Sequence, residues 1–203
     1  MKLFQHDAPV WRAAGALGDL IVLNVLTVAC CLPVVTAGAG LTALADTCRR
    51  MSDGDETPVW RIFARSLRAN IATASKVWLV VGPVGALLIL GWTAWRIPEL
   101  VVLLALATIC YVIASPFAFS LVARFENRWY RHVANAILVA VTHLPLALGV
   151  FGLHAGFLAL TVAVAVYAPQ GLPLLLLLGL SLPWMAATPL IERTFRPLLE
   201  NAR

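Results

Sequence analysis

The chain has 203 residues, 61% of them apolar and only 12% charged, with a formal net charge of +5 and a mean hydropathy of +0.88. A soluble domain carries about 25% charged residues, so half that density leaves too little polar surface to keep a monomer of this size in water. Residues 20–45, 77–95, 100–123 and 132–191 contain no Asp, Glu, Lys or Arg, and each stretch passes the length test of roughly 20 residues for a membrane span. The expectation is an all-α, polytopic membrane helix bundle forming one domain over residues 1–203, with membrane lipids, not nucleic acid, as the surroundings its basic residues meet.

The first predicted span covers about 16–36. It is too long for a cleavable signal, carries Asp19 and leads into further spans. Asp19 and Asn24 are its intramembrane polar residues, and an ionisable group inside a span is a functional candidate by default. Asp19 lies near the outer boundary, within reach of water and of Arg12, which favours a structural role; Asn24 is suited to bonding a neighbouring helix, as are Asn70 and Asn135. Pro33 breaks the span near its inner end, Thr36 can bond the freed carbonyls, and Gly38 and Gly40 then permit a sharp turn. Residues 1–15 are either exported or laid along the interface with the help of Trp11.

Asp53-Gly54-Asp55-Glu56-Thr57-Pro58 places acids, a capping hydroxyl and a first-turn proline at a helix start. In the helix that follows, Arg61, Arg65 and Arg68 share one face by the 3.6-residue period, opposite Trp60, Phe63 and Leu67. This amphipathic helix runs into a second span at 76–96, and a third follows at 99–122. The arginine spacing recurs as Arg124, Arg128 and Arg131, opposite Phe125 and Trp129, on a predicted helix over 124–143. Basic helices resting on anionic lipid account for both. Unbroken, the charge-free stretch 132–191 would make a helix of about 90 Å, three times the hydrocarbon thickness. Ala168-Pro169-Gln170-Gly171 supplies the reversal, giving spans at 144–167 and 171–191.

Orientation follows from the basic residues. Twelve of the 15 Lys and Arg fall in segments 37–76 and 123–143 and the tail, against Lys2, Arg12 and Arg96 on the other side. The positive-inside rule therefore predicts five spans with the N-terminus outside and the C-terminus inside. Offsets of 63 for the arginines, 65 for Asn70 and Asn135, and 67 for Pro116-Phe117 and Pro183-Trp184 point to a parallel repeat of an amphipathic helix plus two spans. His132, His143 and His154 recur every eleven residues, about 16 Å of rise, too far apart to share a metal or pass a proton directly along one helix. Gly152 and Gly156, and Gly82, Gly85 and Gly91, mark close helix approaches. Cys30, Cys31, Cys48 and Cys110 show neither a disulfide framework nor zinc spacing. No serine elbow, metal-ligand cluster, phosphate-cradling loop or pair of facing acids appears, so the reading is non-catalytic and without a cofactor.

Residues 19–44, with Asp-Leu-Ile-Val-Leu-Asn-Val-Leu, then Cys-Leu-Pro-Val-Val-Thr-Ala-Gly, then Leu-Thr-Ala-Leu, resemble the opening of the YesL family of bacterial integral membrane proteins. Phe63, Asn70, Ala123-Arg124-Phe125-Glu126-Asn127, Asn135 and His143-Leu144-Pro145 extend the resemblance along the chain. The resemblance implies a multi-pass protein of the bacterial cytoplasmic membrane, encoded beside binding-protein-dependent sugar importers and without an established activity. It implies a partner, not a reaction: an accessory or permease-like component of a carbohydrate ABC importer. Segment 123–143, which the charge rule places in the cytoplasm, offers Arg124, Glu126, Arg128 and Trp129 as the docking surface for such a partner. Glu126 and Leu144-Pro145 stand at the spacing of the coupling loop of sugar-importer permeases, although Asn127-Arg128 replaces its alanine pair and His132 its glycine. The alternative is a small self-sufficient transporter with Asp19, Asn24 and Arg124 along its path.

Overall fold

The structure is a computed structural model that describes residues 9–94 and 98–200. Lys2, Arg96, Arg203 and the side chain of Arg12, all used in the charge argument, lie outside the described residues. Helix α1 spans Pro9–Cys31 without interruption, so residues 9–15 belong to the same helix as the first predicted span. Pro33 ends it as expected. The Thr36 hydroxyl, in a short 3-10 turn, lies 2.6 Å from the carbonyl of Cys30 and 3.0 Å from that of Pro33.

Helix α2, Ala37–Ser52, is the element the sequence did not announce, and nearly every side chain from Ala37 to Cys48 is buried. Gly38 and Gly40 make no turn; they lie inside α2. A Cβ at Gly38 would meet the Ala74 carbonyl at 2.6 Å, and one at Gly40 would meet the Cys30 Cβ at 2.8 Å. The two glycines let α2 seat against α3 and the last turn of α1. Within a bilayer, where lipid is as apolar as leucine, such close van der Waals packing is what holds helices together.

After α2 the chain turns at Gly54, whose φ of +80° favours glycine. Helix α3, Val59–Ala94, merges the amphipathic segment and the second span into one rod of 36 residues, about 54 Å long. Thr57 is not its capping hydroxyl. The Thr57 N–H donates to Asp55 Oδ1 at 2.9 Å, and the Pro58 carbonyl accepts from Arg61 and Ile62. Phe63 is buried and Leu67 half-buried, opposite exposed Arg61, Arg65 and Arg68, as the period requires. Trp60 departs from the expected arrangement: it is 54% exposed and carries the Arg61 guanidinium 5.0 Å over its ring. A cation–π contact holds this aromatic ring on the basic side.

Helix α4, Pro98–Arg124, packs along α3 where Gly85 accommodates the Tyr111 hydroxyl and Gly91 accommodates Leu104. Residues 125–128 are not helical, and α5 runs Trp129–Thr142. Arg124 therefore ends one helix and Arg128 precedes another, so Arg124, Arg128 and Arg131 do not share a helix face. His143, at φ −117° and ψ 43°, separates α5 from α6, Leu144–Tyr167. This break interrupts the histidine stripe, and it departs from the predicted repeat, because in α3 the amphipathic segment and the apolar stretch are continuous. Gly152 and Gly156 have open space where a Cβ would stand, so no described helix approaches there. Pro169–Gly171 forms the expected reversal, and the last predicted span is divided into α7, Leu172–Leu177, and α8, Ser181–Glu200, bent by 52°.

Among the described residues, four helices are long and apolar enough to cross a membrane, five when the α7–α8 pair counts as one span. Leu79, Leu87, Ile89, Leu103, Leu158 and Val166 are exposed on their surfaces, an outer face suited to hydrocarbon. Inside, Phe195 of α8 meets Phe117 and Phe125 edge-on at 6.3 and 5.8 Å, tying α8 to α4 and the link that follows it.

Candidate functional site

The charges gather at one end of the bundle, where the end of α2, the start of α3, the end of α4, the start of α5 and the middle of α8 converge. Asp46 organises the α2 part. It is 5% exposed, and its carboxylate accepts from Arg49 Nη2 at 2.6 Å and Arg50 Nε at 3.1 Å. Arg49 also reaches Asp53 at 3.0 Å, and Arg50 lies 3.8 Å from Asp55. The Asp55 carboxyl is held below its ordinary range, chiefly by hydrogen bonding from Thr57. A further ion pair, Arg124 to Glu192 at 3.5 Å, joins α4 to α8.

Between α2, α3, the end of α4 with the link that follows it, and α5 lies a polar cleft of about 460 Å³. Asp46 and Arg50 of α2, Arg65 and Asn70 of α3, Arg124 and His132 line it, with Glu126 also contributing. Arg65 and Glu126 form no ion pair within 4 Å among the described residues. His132 is 2% exposed. Burial lowers its pKa below the usual histidine value, opposed by a hydrogen bond to the Asn127 backbone, and its Nε2 reaches no partner among the described residues. The cleft offers a cation, a carboxylate and amides to a polar ligand or a protein side chain. No group of three or more His, Cys, Asp or Glu side chains is placed to hold a metal among the described residues.

The predicted site residues distribute unevenly about this cleft. Of the basic face on α3 only Arg65 lines it; Arg61 and Arg68 are exposed elsewhere on the helix. Arg124 lines it but is occupied by Glu192, while Glu126, Arg128 and Trp129 are exposed in the α4–α5 link and the first turn of α5. Asp19 is exposed on α1, whereas Asn24 is 3% exposed and bonded to the break between α7 and α8. Neither lines the cleft, so Asp19, Asn24 and Arg124 form no common path there. Asn70 bonds the Ser66 carbonyl of its own helix at 3.0 Å and Asn135 is exposed, so neither is an interhelical bond of the Asn24 kind. The sequence reading missed Asp46 and Arg50. Their signal was present in the i,i+3 and i,i+4 spacing of Asp46 with Arg49 and Arg50, a pattern of helical ion pairs.

Fold and site together define a multi-pass helical protein with a polar cleft at its charged end. Residues 20–92 match the family described as "Protein of unknown function, DUF624". The matched part holds α2 and most of α1 and α3, and with them Asp46, Arg50, Arg65 and Asn70 of the cleft. No curated protein and no solved structure matches the chain.

Proposed function

We propose that the chain is a non-catalytic membrane protein that uses its charged end to dock a cytoplasmic partner. The observation carrying this reading is the α4–α5 link, where Glu126, Asn127, Arg128, Trp129, Tyr130 and Arg131 are all exposed in succession. Trp129 and Tyr130 meet edge-on at 5.8 Å, and Arg128 bonds the Tyr130 hydroxyl at 3.3 Å. Aromatic residues and arginine are the types enriched where protein partners bind. Anionic lipid would explain the arginines equally well but would repel Glu126. The resemblance to the YesL family names the partner class: an ATPase subunit of a carbohydrate importer in a bacterial cytoplasmic membrane. Glu126→Lys should therefore abolish recovery of that ATPase with the protein from native membranes, while membrane association stays intact. An undiminished complex with the Glu126→Lys protein overturns the docking role.

The same reading requires the charged end to be cytoplasmic, with the N-terminus outside and the Pro169–Gly171 turn external. Gln170 is exposed in that turn. A cysteine placed at Gln170, in a chain lacking the four native cysteines, should react with a membrane-impermeant thiol reagent added to intact cells. Reaction only after the inner face is opened would reverse the orientation and remove the docking face from the cytoplasm.

A further inference from the structure

An apolar groove of about 380 Å³ follows the polar cleft along the same three helices, lined by Val81 and Val84 of α3, Ile113 and Ala118 of α4, and Ala136 and Ala140 of α5. No Asp, Glu, Lys, Arg or His lines it. Thr73 on the cleft and Val80 on the groove are seven residues apart on α3. Val122 and Ala118 are four apart on α4, and His132 and Ala136 are four apart on α5. Steps of four and seven residues are close to whole turns, so on each helix the cleft and the groove share a face.

The cleft holds two unengaged charges of opposite sign. Arg50 is engaged by Asp46 and Asp55, and Arg124 by Glu192. Arg65 and Glu126 are left without an ion pair within 4 Å among the described residues, and Arg65 meets Asp55 only at longer range. Both residues are exposed, so a ligand can reach each of them. An anion would satisfy Arg65 and be repelled by Glu126; a cation would do the reverse. A headgroup that carries both charges satisfies both residues. The cleft volume falls within the roughly 300–1,000 Å³ of small-molecule sites.

The groove says what the headgroup is attached to. From cleft to groove the rise is about 6 Å on α4 and α5 and about 10 Å on α3. That is the scale of the polar layer, about 5–8 Å on each side, that separates the hydrocarbon of a bilayer from water. We infer that this valley holds one phospholipid with an ethanolamine headgroup, its phosphate against Arg65, its ammonium against Glu126 and an acyl chain in the groove. Such a lipid escapes the repulsion that Glu126 exerts on an anionic one. The inference does not rest on docking of a partner, and its test contains none.

The delipidated full chain in detergent is offered an equimolar mixture of phosphatidylethanolamine, phosphatidylcholine and phosphatidylglycerol, all with oleoyl chains, and native mass spectrometry counts what is retained. One phosphatidylethanolamine per chain is expected. It should be preferred about tenfold over phosphatidylcholine, whose methylated nitrogen has no N–H to donate, the gain of one charge-assisted hydrogen bond. Glu126→Ala should erase that preference, and Glu126→Lys should turn the selection to phosphatidylglycerol. Arg65→Gln should weaken retention of all three. Both side chains are exposed, so these variants leave the core intact. Glycerophosphoethanolamine, the same headgroup without acyl chains, should compete only at about hundredfold excess or more, because it buries no hydrocarbon. Competition at parity would show that the groove adds nothing and would overturn the lipid as occupant. Retention in proportion to the mixture, as for lipid adhering anywhere on the apolar surface, overturns the inference. So does selection of phosphatidylglycerol by the parent chain, or an ethanolamine preference undiminished in Glu126→Ala.

Discussion

Replacing Asn24 with leucine should cost the folded protein about 2–4 kcal/mol, read as a lowered midpoint in thermal or denaturant unfolding from detergent micelles. The reason lies in the break of the last span. In an unbroken helix the Leu180 N–H would donate to the Leu176 carbonyl, four residues back. Here the Asn24 side chain stands between them: Leu180 N–H donates to Asn24 Oδ1 at 2.8 Å, and Asn24 Nδ2 donates to the Leu176 carbonyl at 3.0 Å. The primary amide copies a peptide group, one donor and one acceptor, and is spliced into the ladder where the helix bends by 52°. The Leu176 carbonyl would keep the Gly179 N–H at 3.3 Å, but the Leu180 N–H would lose its partner in a site where Asn24 is 3% exposed. Leucine has a similar volume, which separates loss of the amide from creation of a cavity. Asn24→Asp tests the donor separately: an ionised carboxylate accepts from Leu180 but turns a second acceptor toward the Leu176 carbonyl. Unfolding midpoints for Asn24→Leu equal to those of the parent chain would show that the bent span satisfies its own backbone.

Much of this architecture was legible in the sequence because membrane spans announce themselves by length and absence of charge. The reversal at Pro169, the break at Pro33 with Thr36 beside its carbonyls, and the continuity of the basic helix with the second span all follow from local chemistry. What stayed hidden was α2. Its 16 residues, rich in Ala, Gly and Thr and ending in Arg49 and Arg50, are too few and too polar to pass as a span, yet they occupy the centre of the charged end. Small side chains carry little hydropathy signal but allow close packing, and only tertiary contact reveals that use. The cleft was half legible for the same reason. Arg65, Arg124 and Glu126 could be selected as charges near span ends, but Asp46 and Arg50 join them only because α2 folds into the bundle. Conversely, the shared period of Arg124, Arg128 and Arg131 was misleading: residues 125–128 leave the helix, and a period has meaning only along a continuous one.

The largest electrostatic effect should come from Asp46→Asn, which is expected to destabilise the protein by about 3 kcal/mol, the lower end of the range for breaking a buried ion pair by removing one partner. Asp46 has 6% of its side chain exposed, while Arg49 and Arg50 retain 17% and 32%. Both guanidiniums are thus shielded on the side that faces Asp46, and the neutral amide keeps one acceptor but turns its NH2 donors toward the other guanidinium. Arg49 keeps Asp53 and Arg50 keeps Asp55, which holds the cost to the lower end. Asp53→Asn provides the internal standard. Asp53 binds Arg49 at 3.0 Å but leaves 60% of its side chain in solvent, so losing its charge should cost less than about 1 kcal/mol. The two effects should also separate with ionic strength, because salt screens the exposed pair and leaves the buried one largely untouched. Urea or guanidinium-free thermal unfolding at low and high sodium chloride measures both. If Asp46→Asn costs no more than Asp53→Asn at either salt concentration, Asp46 behaves as a surface charge and α2 does not anchor the charged end. If the expected gap appears, Arg50 is held in the cleft by a carboxylate beneath it. The geometry presented to any partner at that end is then set by a helix that is buried through most of its length.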